Sequence, residues 1–465
     1  MTDIAAIVAA AGLCVLLVSG RRDVRRAGVA AWAGGTLWLA AELLHSSLHR
    51  VATLVAHHPA LGVGALTVGA VVLVAAAAVV HRMPWLFAVA CVLAAPVRIP
   101  IHVGADEARL LLPLYGVLAA GALATLYDVV RGDEEPPRVG PVPRALALVL
   151  AVSAISLLWA VDGHQGAVDM LFFYLPFGFM TVRIAQLGCS GLGLRAALAA
   201  QVGLALLFAG VGLWQEAVHR IFWNPAVETS NVYRSFFRVN SLFWDASVYG
   251  RFLAVTLVLL AGVAIYRGVS PPLVAVMAVL FAGLYFTYSQ SSFLALAAGA
   301  FVLGAGVWPW RVTAGVLAAG AAAFAGVLAV EVAGSSASRA SGGRSHLVEL
   351  GWRVMRNHPF LGAGLGGFAK AAVAGTDHPY RLKGAASHTT PVTVAAELGP
   401  LGIAAYGWLL GVLAWAGLAG RRWPGMSRTL LAALVAIFAS SLFYNSFFED
   451  PTVWLIAGLL CVVFE

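Results

Sequence analysis

Long apolar stretches, cut by short polar turns, run along nearly the whole chain. They cover residues 4–20, 27–46, 59–80, 84–97, 108–127, 145–160, 165–183, 196–217, 247–266, 272–288, 290–308, 312–332, 391–419, 429–447 and 451–465, and the turns between them are rich in Arg, Pro and Gly. A helix crosses the hydrocarbon core of a bilayer with about 20 apolar residues, so the pattern predicts roughly 13–15 spanning helices. None of the stretches alternates apolar and polar positions with a period of two, which excludes a β-barrel. With no water inside hydrocarbon, each span must satisfy its own backbone. The expected fold is therefore all-α, a polytopic transmembrane helix bundle.

Where the pattern breaks for longer, it divides the chain. Asp128 to Arg144, with Asp133-Glu134-Glu135-Pro136-Pro137, reads as a polar linker between an N-terminal block, 1–127, and the helices of 145–332. A loop at 219–246 interrupts that second block, a large loop fills 333–390, and the C-terminal helices occupy 391–465. Inside the large loop, Leu347, Val348, Gly351, Trp352 and Met355 recur at helical spacing opposite His346, Glu349, Arg353 and Arg356, which predicts an amphipathic helix lying on the membrane with those apolar residues down.

Composition agrees with the pattern: 61% of residues are hydrophobic and 11% charged, against about 25% charged in soluble domains. The first apolar run is followed by Arg21, Arg22, Arg25 and Arg26 rather than by a small-residue cleavage site, so it is expected to be retained as a helix. Cys14, Cys91, Cys189 and Cys461 sit in or beside apolar runs without CxxC spacing, which points to neither a disulfide framework nor a metal site.

Charge then gives the spans a direction. With the Arg21–Arg26 cluster on the cytoplasmic side, strict alternation also puts Arg82, Arg131, Arg138, Arg144, Arg183, Arg195, Arg267, Arg311, Arg421, Arg422 and Arg428 inside, and leaves Arg50, Arg98 and Arg109 in short outer loops. Short loops dominate the positive-inside rule, so this orientation is preferred. It turns both long loops outward, and both are basic. Between Ala333 and Thr390, Arg339, Arg344, Arg353, Arg356, Lys370, Arg381 and Lys383 face only Glu349 and Asp377. Basic outer loops run against the usual bias and suit an anion at the outer membrane surface.

Four outer segments carry candidate chemistry. In the first, Arg234, Arg238 and Arg251 alternate with Phe236, Phe237, Phe243, Trp244 and Tyr249, around Asp245. Guanidinium forks would hold phosphate oxygens while aromatic faces meet sugar rings, although an interfacial aromatic belt has the same composition. The second is the surface helix, preceded by Arg344. The third, Gly362-Ala363-Gly364-Leu365-Gly366-Gly367, matches GxGxxG literally but has neither the strand nor the βαβ unit a dinucleotide site requires. Close backbone packing, or N–H groups near a phosphate, accounts for it better. In the fourth, Thr390 and Pro391 mark a helix start, which places His388 at the positive end of a helix dipole and favours a neutral imidazole able to act as a base.

Taken together these segments resemble the O-antigen ligase and O-antigen polymerase-like superfamily of bacterial membrane glycosyltransferases. The resemblance rests on Phe237 to Asp245 with Gly250-Arg251, on Thr287-Tyr288-Ser289-Gln290-Ser291-Ser292, on Arg344 with Trp352, Pro359 and the Gly362–Gly366 run, and on His388 with Glu397, Gly399 and Gly402. It implies transfer of a glycan from an undecaprenyl-diphosphate carrier to an acceptor hydroxyl at the outer face of the cytoplasmic membrane, without metal or other cofactor. Arg238 and Arg344 would then bind pyrophosphate, and His388 would activate the acceptor. Gln290 stands where many relatives have Arg. The further candidates for donor binding are Arg251, Arg234, Arg339, Tyr249 and Asp245. Ligase and polymerase differ in the acceptor, which the residues leave open. The alternative is a transporter or flippase of lipid-linked saccharides, which predicts broken helices and ionisable residues at the bilayer midplane. The expected partners are the lipid-linked donor, an acceptor and membrane lipids, and no nucleic acid.

Overall fold

The computed structural model describes residues 1–45, 59–103, 106–132, 140–187, 191–233, 236–316, 344–374, 387, 389–420 and 423–464, with isolated positions between. These form a polytopic helix bundle. Helices α1 (Thr2–Val18), α2 (Arg22–Leu43), α3 (Pro59–Arg82) and α4 (Trp85–Ala94) lead into α5 (Leu112–Arg131) and α6 (Pro141–Ile155). Next come α7 (Gly163–Asp169) and α8 (Leu175–Leu187), joined by a π-helical turn, then α9 (Gly191–Val218), the short α10 (Pro225–Val232), α11 (Ala246–Arg267), α12 (Pro271–Tyr285) and α13 (Gln290–Ala305). Last are α14 (Arg344–Asn357), α15 (Phe368–Val373), α16 (Thr390–Ala419), α17 (Pro424–Ser441) and α18 (Pro451–Phe464). Among the described residues, eight helices are long and apolar enough to cross a membrane, and five more are apolar and shorter.

The outside of the bundle is as apolar as its inside, as a bilayer solvent requires. On α3, Val63, Leu66, Val68, Val71, Val72 and Val74 all face outward. One core, running through Leu13, Leu150, Phe177, Leu253, Leu413 and Trp454, joins helices from both sides of the 128–144 segment. Polar anchoring gathers at the end of the bundle that holds Arg25 and Asp128. There Arg183 Nη1 lies 3.3 Å and His81 Nδ1 2.7 Å from the Asp128 carboxylate, while Arg25 donates to the carbonyls of Leu16 and Ser19. Pairing of this kind is what lets ionisable groups sit beside hydrocarbon.

Three local features differ from the sequence reading. The run assigned to a helix from residue 108 opens as a strand: Ile99–Val103 and Asp106–Leu110 pair antiparallel, Ile101 opposite Ala108, and the helix starts at Leu112. Ile99, Ile101 and Val103 alternate in this short hairpin, a signal hidden among longer apolar runs. The amphipathic helix is present as α14, with Val348 and Trp352 exposed, and it has a second apolar face, Leu350 and Val354, that the sequence reading did not include; both are buried, as is Gly351. That face docks on Phe368, Ala371 and Ala372 of α15 and Ala396 of α16. Finally, α16 is broken at Gly399 (φ 64°, ψ −161°), immediately before Pro400.

That break explains the glycine-rich run. Pro400 has no N–H, so the carbonyl of Ala396, four residues earlier, loses its helical donor. Ala363 N–H takes its place at 2.9 Å, and Gly364 N–H donates to Glu397 O at 2.8 Å. Below, Leu365 N–H donates to Ser156 Oγ at 3.0 Å and Val161 N–H to Ala363 O at 2.8 Å. Glu397 Oε1 accepts from Phe368 N–H at 3.2 Å, at the start of α15. The turn is thus clamped between α16 and the 156–166 segment. Gly364 and Gly366 have φ of +80° and +71°, and a Cβ on either would sit within 2.5 Å of backbone in 160 or 166. Close backbone approach, the first of the two accounts open for this run, is what the structure shows.

Candidate active site

The loop carrying Arg238 is shaped by buried amides. Gln215 on α9 accepts from Ser241 N–H at 2.7 Å and Asn240 N–H at 3.3 Å and donates to Ser241 O at 3.0 Å, holding Ser241 in a left-handed turn at φ 52°. Asn231 grips the backbone of Arg238 in both directions at 3.0 Å. Val239 N–H bonds Phe286 O, tying the loop to the end of α12. So placed, the Arg238 side chain donates from Nε to Thr287 O at 2.8 Å and from Nη2 to Ser247 Oγ at 3.0 Å. Asp245 caps α11 through Ser247 N–H at 2.6 Å, a structural duty.

Ser247 and Arg251 are one turn apart on α11 and share a face. Arg251 is buried, at 5% exposure, and its Nη2 lies 3.0 Å from Asp450 Oδ2 while its Nη1 donates to Ser446 Oγ. Hence two arginines from different segments, Arg238 and Arg251, meet the first two turns of α11. Tyr249, on the same helix, does not join them: it is fully buried, with its hydroxyl bonded to Phe208 O at 3.2 Å. It is a core residue here, because the face two residues from Ser247 and Arg251 turns into the bundle.

Beside Arg251 opens a cavity of about 610 Å³ between α4, α9, α11, α17 and α18. Its walls are apolar, among them Val255, Leu259, Leu455 and Leu459, and it reaches from Arg98, Arg251 and Asp450 at one end to Arg195 and Arg267 at the other. The loop before α18 brings a second set of groups to the same place. Phe447 N–H bonds Thr390 Oγ1 at the start of α16, and Glu449 lines a smaller pocket of about 70 Å³ with Asp169, Thr390 and Glu397.

Sequence reasoning missed Ser446, Glu449, Asp450 and Arg98. Glu449-Asp450-Pro451 does carry a signal, an acidic pair before a helix-starting proline, but nothing in the chain ties it to Arg251 some 200 residues earlier. Arg234, Arg339 and His388 lie outside the described residues, as does the Arg344 side chain, whose backbone opens α14. The neighbours of His388 are placed: Ser387 is buried and donates to Thr389 O at 2.7 Å.

Burial lifts the Glu449 carboxyl above the ordinary carboxylate range, and Arg98 and Arg251 oppose the shift without cancelling it. A carboxyl with a higher pKa folded than unfolded stabilises the fold fully below its unfolded value, and that contribution is lost as pH rises through the folded value. Glu449→Gln is therefore expected to leave the melting temperature unchanged near about pH 4 and to raise it relative to the parent at neutral pH. Melting curves across this range test it, and a difference that grows toward acid pH would show the sign to be wrong.

No curated protein matches the chain. Residues 275–407 match the model of the O-antigen ligase family, a segment that holds Thr287 to Ser292, the glycine-rich turn, Glu397 and the α16 break, while Arg238, Arg251 and Asp450 lie outside it. A family of this kind implies a glycosyltransferase-type membrane enzyme. Over residues 275–407, set in a polytopic helix bundle, the chain is similar to the O-antigen ligase family.

Proposed function

We propose that the protein moves a glycan from an undecaprenyl-diphosphate carrier to an acceptor hydroxyl at the outer face of the cytoplasmic membrane. The observation that carries this reading is that Arg251 lines one end of the apolar cavity with Arg98 and Asp450, while Arg238 bonds Ser247 one turn earlier on the same helix. Guanidinium forks match phosphate oxygens, and an apolar cavity opening beside them suits a hydrocarbon carrier. In the reaction the acceptor oxygen bonds to the anomeric carbon and the bond from that carbon to the diphosphate oxygen breaks. The hydroxyl proton goes to His388, and the carrier leaves as its diphosphate. A diphosphate leaving group needs charge stabilisation more than protonation, and this is assigned to the arginines rather than to a metal ion. Arg344, Arg234 and Arg339, which the sequence puts in its two long basic loops, are assigned to the donor glycan and its phosphates.

The test is transfer in liposomes with a lipid-diphosphate glycan and candidate acceptors, scored by carrier diphosphate released and by product length. A ladder of products means polymerase and a single addition means ligase. His388→Ala is expected to lower turnover by at least about 10²-fold while donor binding stays within a few-fold. Normal turnover in that variant would remove the proposed base.

A further inference from the structure

Arg251 is held in an unusual way for a buried guanidinium. The Asp450 carboxylate splits its two oxygens between duties: Oδ1 accepts from Thr452 N–H at 2.9 Å, capping α18, and Oδ2 meets Arg251 Nη2 at 3.0 Å. The ion pair is therefore end-on, through one oxygen, and not the two-bond fork that makes arginine–carboxylate pairs tight. Ser446 occupies Nη1 as a neutral partner. A guanidinium has five N–H donors, so this arrangement compensates the buried charge while leaving donors for a second anion. Both groups line the cavity beside Arg98, which is exposed.

We propose that Asp450 is a positioning residue for the transfer: it holds the Arg251 guanidinium at the cavity, and its own negative charge keeps the grip of Arg251 on the carrier diphosphate weak enough to release. This rests on the function proposed above. The carrier gains negative charge as the bond to the anomeric carbon breaks, so the product is the species Arg251 holds hardest, and a fixed carboxylate on the same guanidinium offsets that hold. Fully satisfied by Asp450, Arg251 would bind nothing; without it, Arg251 would retain the product.

Asp450→Asn separates charge from position, because the asparagine carbonyl can still accept from Thr452 N–H or Arg251. The full-length protein in nanodiscs is first titrated with undecaprenyl diphosphate, and then assayed for transfer. The variant is expected to bind this product roughly tenfold tighter, the order expected when one like charge near the site is removed. Donor KM and kcat should fall together, and product inhibition should deepen. Unchanged product affinity with unchanged kcat and unchanged donor KM, and only a lower melting temperature, would make the pair purely structural and overturn the proposal. If wild-type protein itself shows no saturable binding of undecaprenyl diphosphate, the function proposed above fails instead. Should Asp450→Asn not fold, Ser446→Ala carries the test: loosening only the neutral contact is expected to raise donor KM a few-fold with melting in place, and no change would count against a positioned Arg251.

Discussion

Arg238→Ala is expected to lower kcat/KM for the lipid-diphosphate donor by roughly 10²–10³, the loss typical of removing one positioned donor from a developing anion. Arg238 spans three pieces of chain, its own amide-clamped loop, Thr287 O between α12 and α13, and Ser247 on α11. It is half-buried, so its charge acts in a medium of lower dielectric than water. Part of the effect will be structural, since Nε is the tie to Thr287. Arg238→Lys distinguishes the two parts, because a lysine keeps the charge but cannot bond Thr287 and Ser247 with one planar fork. The lysine variant is expected to melt as far below the parent as the alanine variant does, having lost the same tie, and to recover only the part of the rate that charge alone supplies. Initial rates over a donor series provide the measurement, and an alanine variant with parental kcat/KM would remove Arg238 from the site.

Gly364→Ala is expected to prevent accumulation of folded protein. At φ +80° a side chain costs about 1–3 kcal/mol in backbone strain alone, and here its Cβ would also lie 2.3 Å from Ala160 Cα. Backbone cannot swing aside as a side-chain tip can, so the turn must lift from 156–166 and give up the hydrogen bonds that repair the α16 break. Gly407→Ala is the control: that glycine is helical and has nothing within 4 Å of its missing Cβ, so alanine there should be neutral or mildly stabilising. Size-exclusion profiles and melting temperatures of the two variants should diverge sharply. Equal behaviour would mean that the turn does not bear on the fold.

The helices were legible because bilayer thickness imposes a length on apolar runs, and that length survives in the sequence. Arg238 was legible because arginine interleaved with aromatics is rare in so apolar a chain. Asp450 was not, since its meaning lies in a contact with Arg251, and a two-residue acidic step before a proline reads as an ordinary helix cap, which it also is. The second apolar face of α14 was hidden for a related reason. Its sequence offers two overlapping apolar stripes, and only the presence of α15 and α16 decides that Leu350 and Val354 are buried while Trp352 is not. The break in α16 had a visible mark, Gly399-Pro400, inside a run whose overall apolarity conceals it. Its partner, the Gly362–Gly367 turn, was visible as a pattern but could not be paired with the break until the backbone was in place.

The repair of α16 by residues 363 and 364 bears on how the chain is made. Synthesis runs from the N-terminus, so 156–166 is available first, the glycine turn second, and Pro400 last. The donors that serve Ala396 and Glu397 have therefore left the ribosome before the break itself emerges. A helix that would enter the bilayer with open carbonyls meets a prepared edge, and membrane insertion of α16 becomes a docking step whose template lies upstream in the same polypeptide.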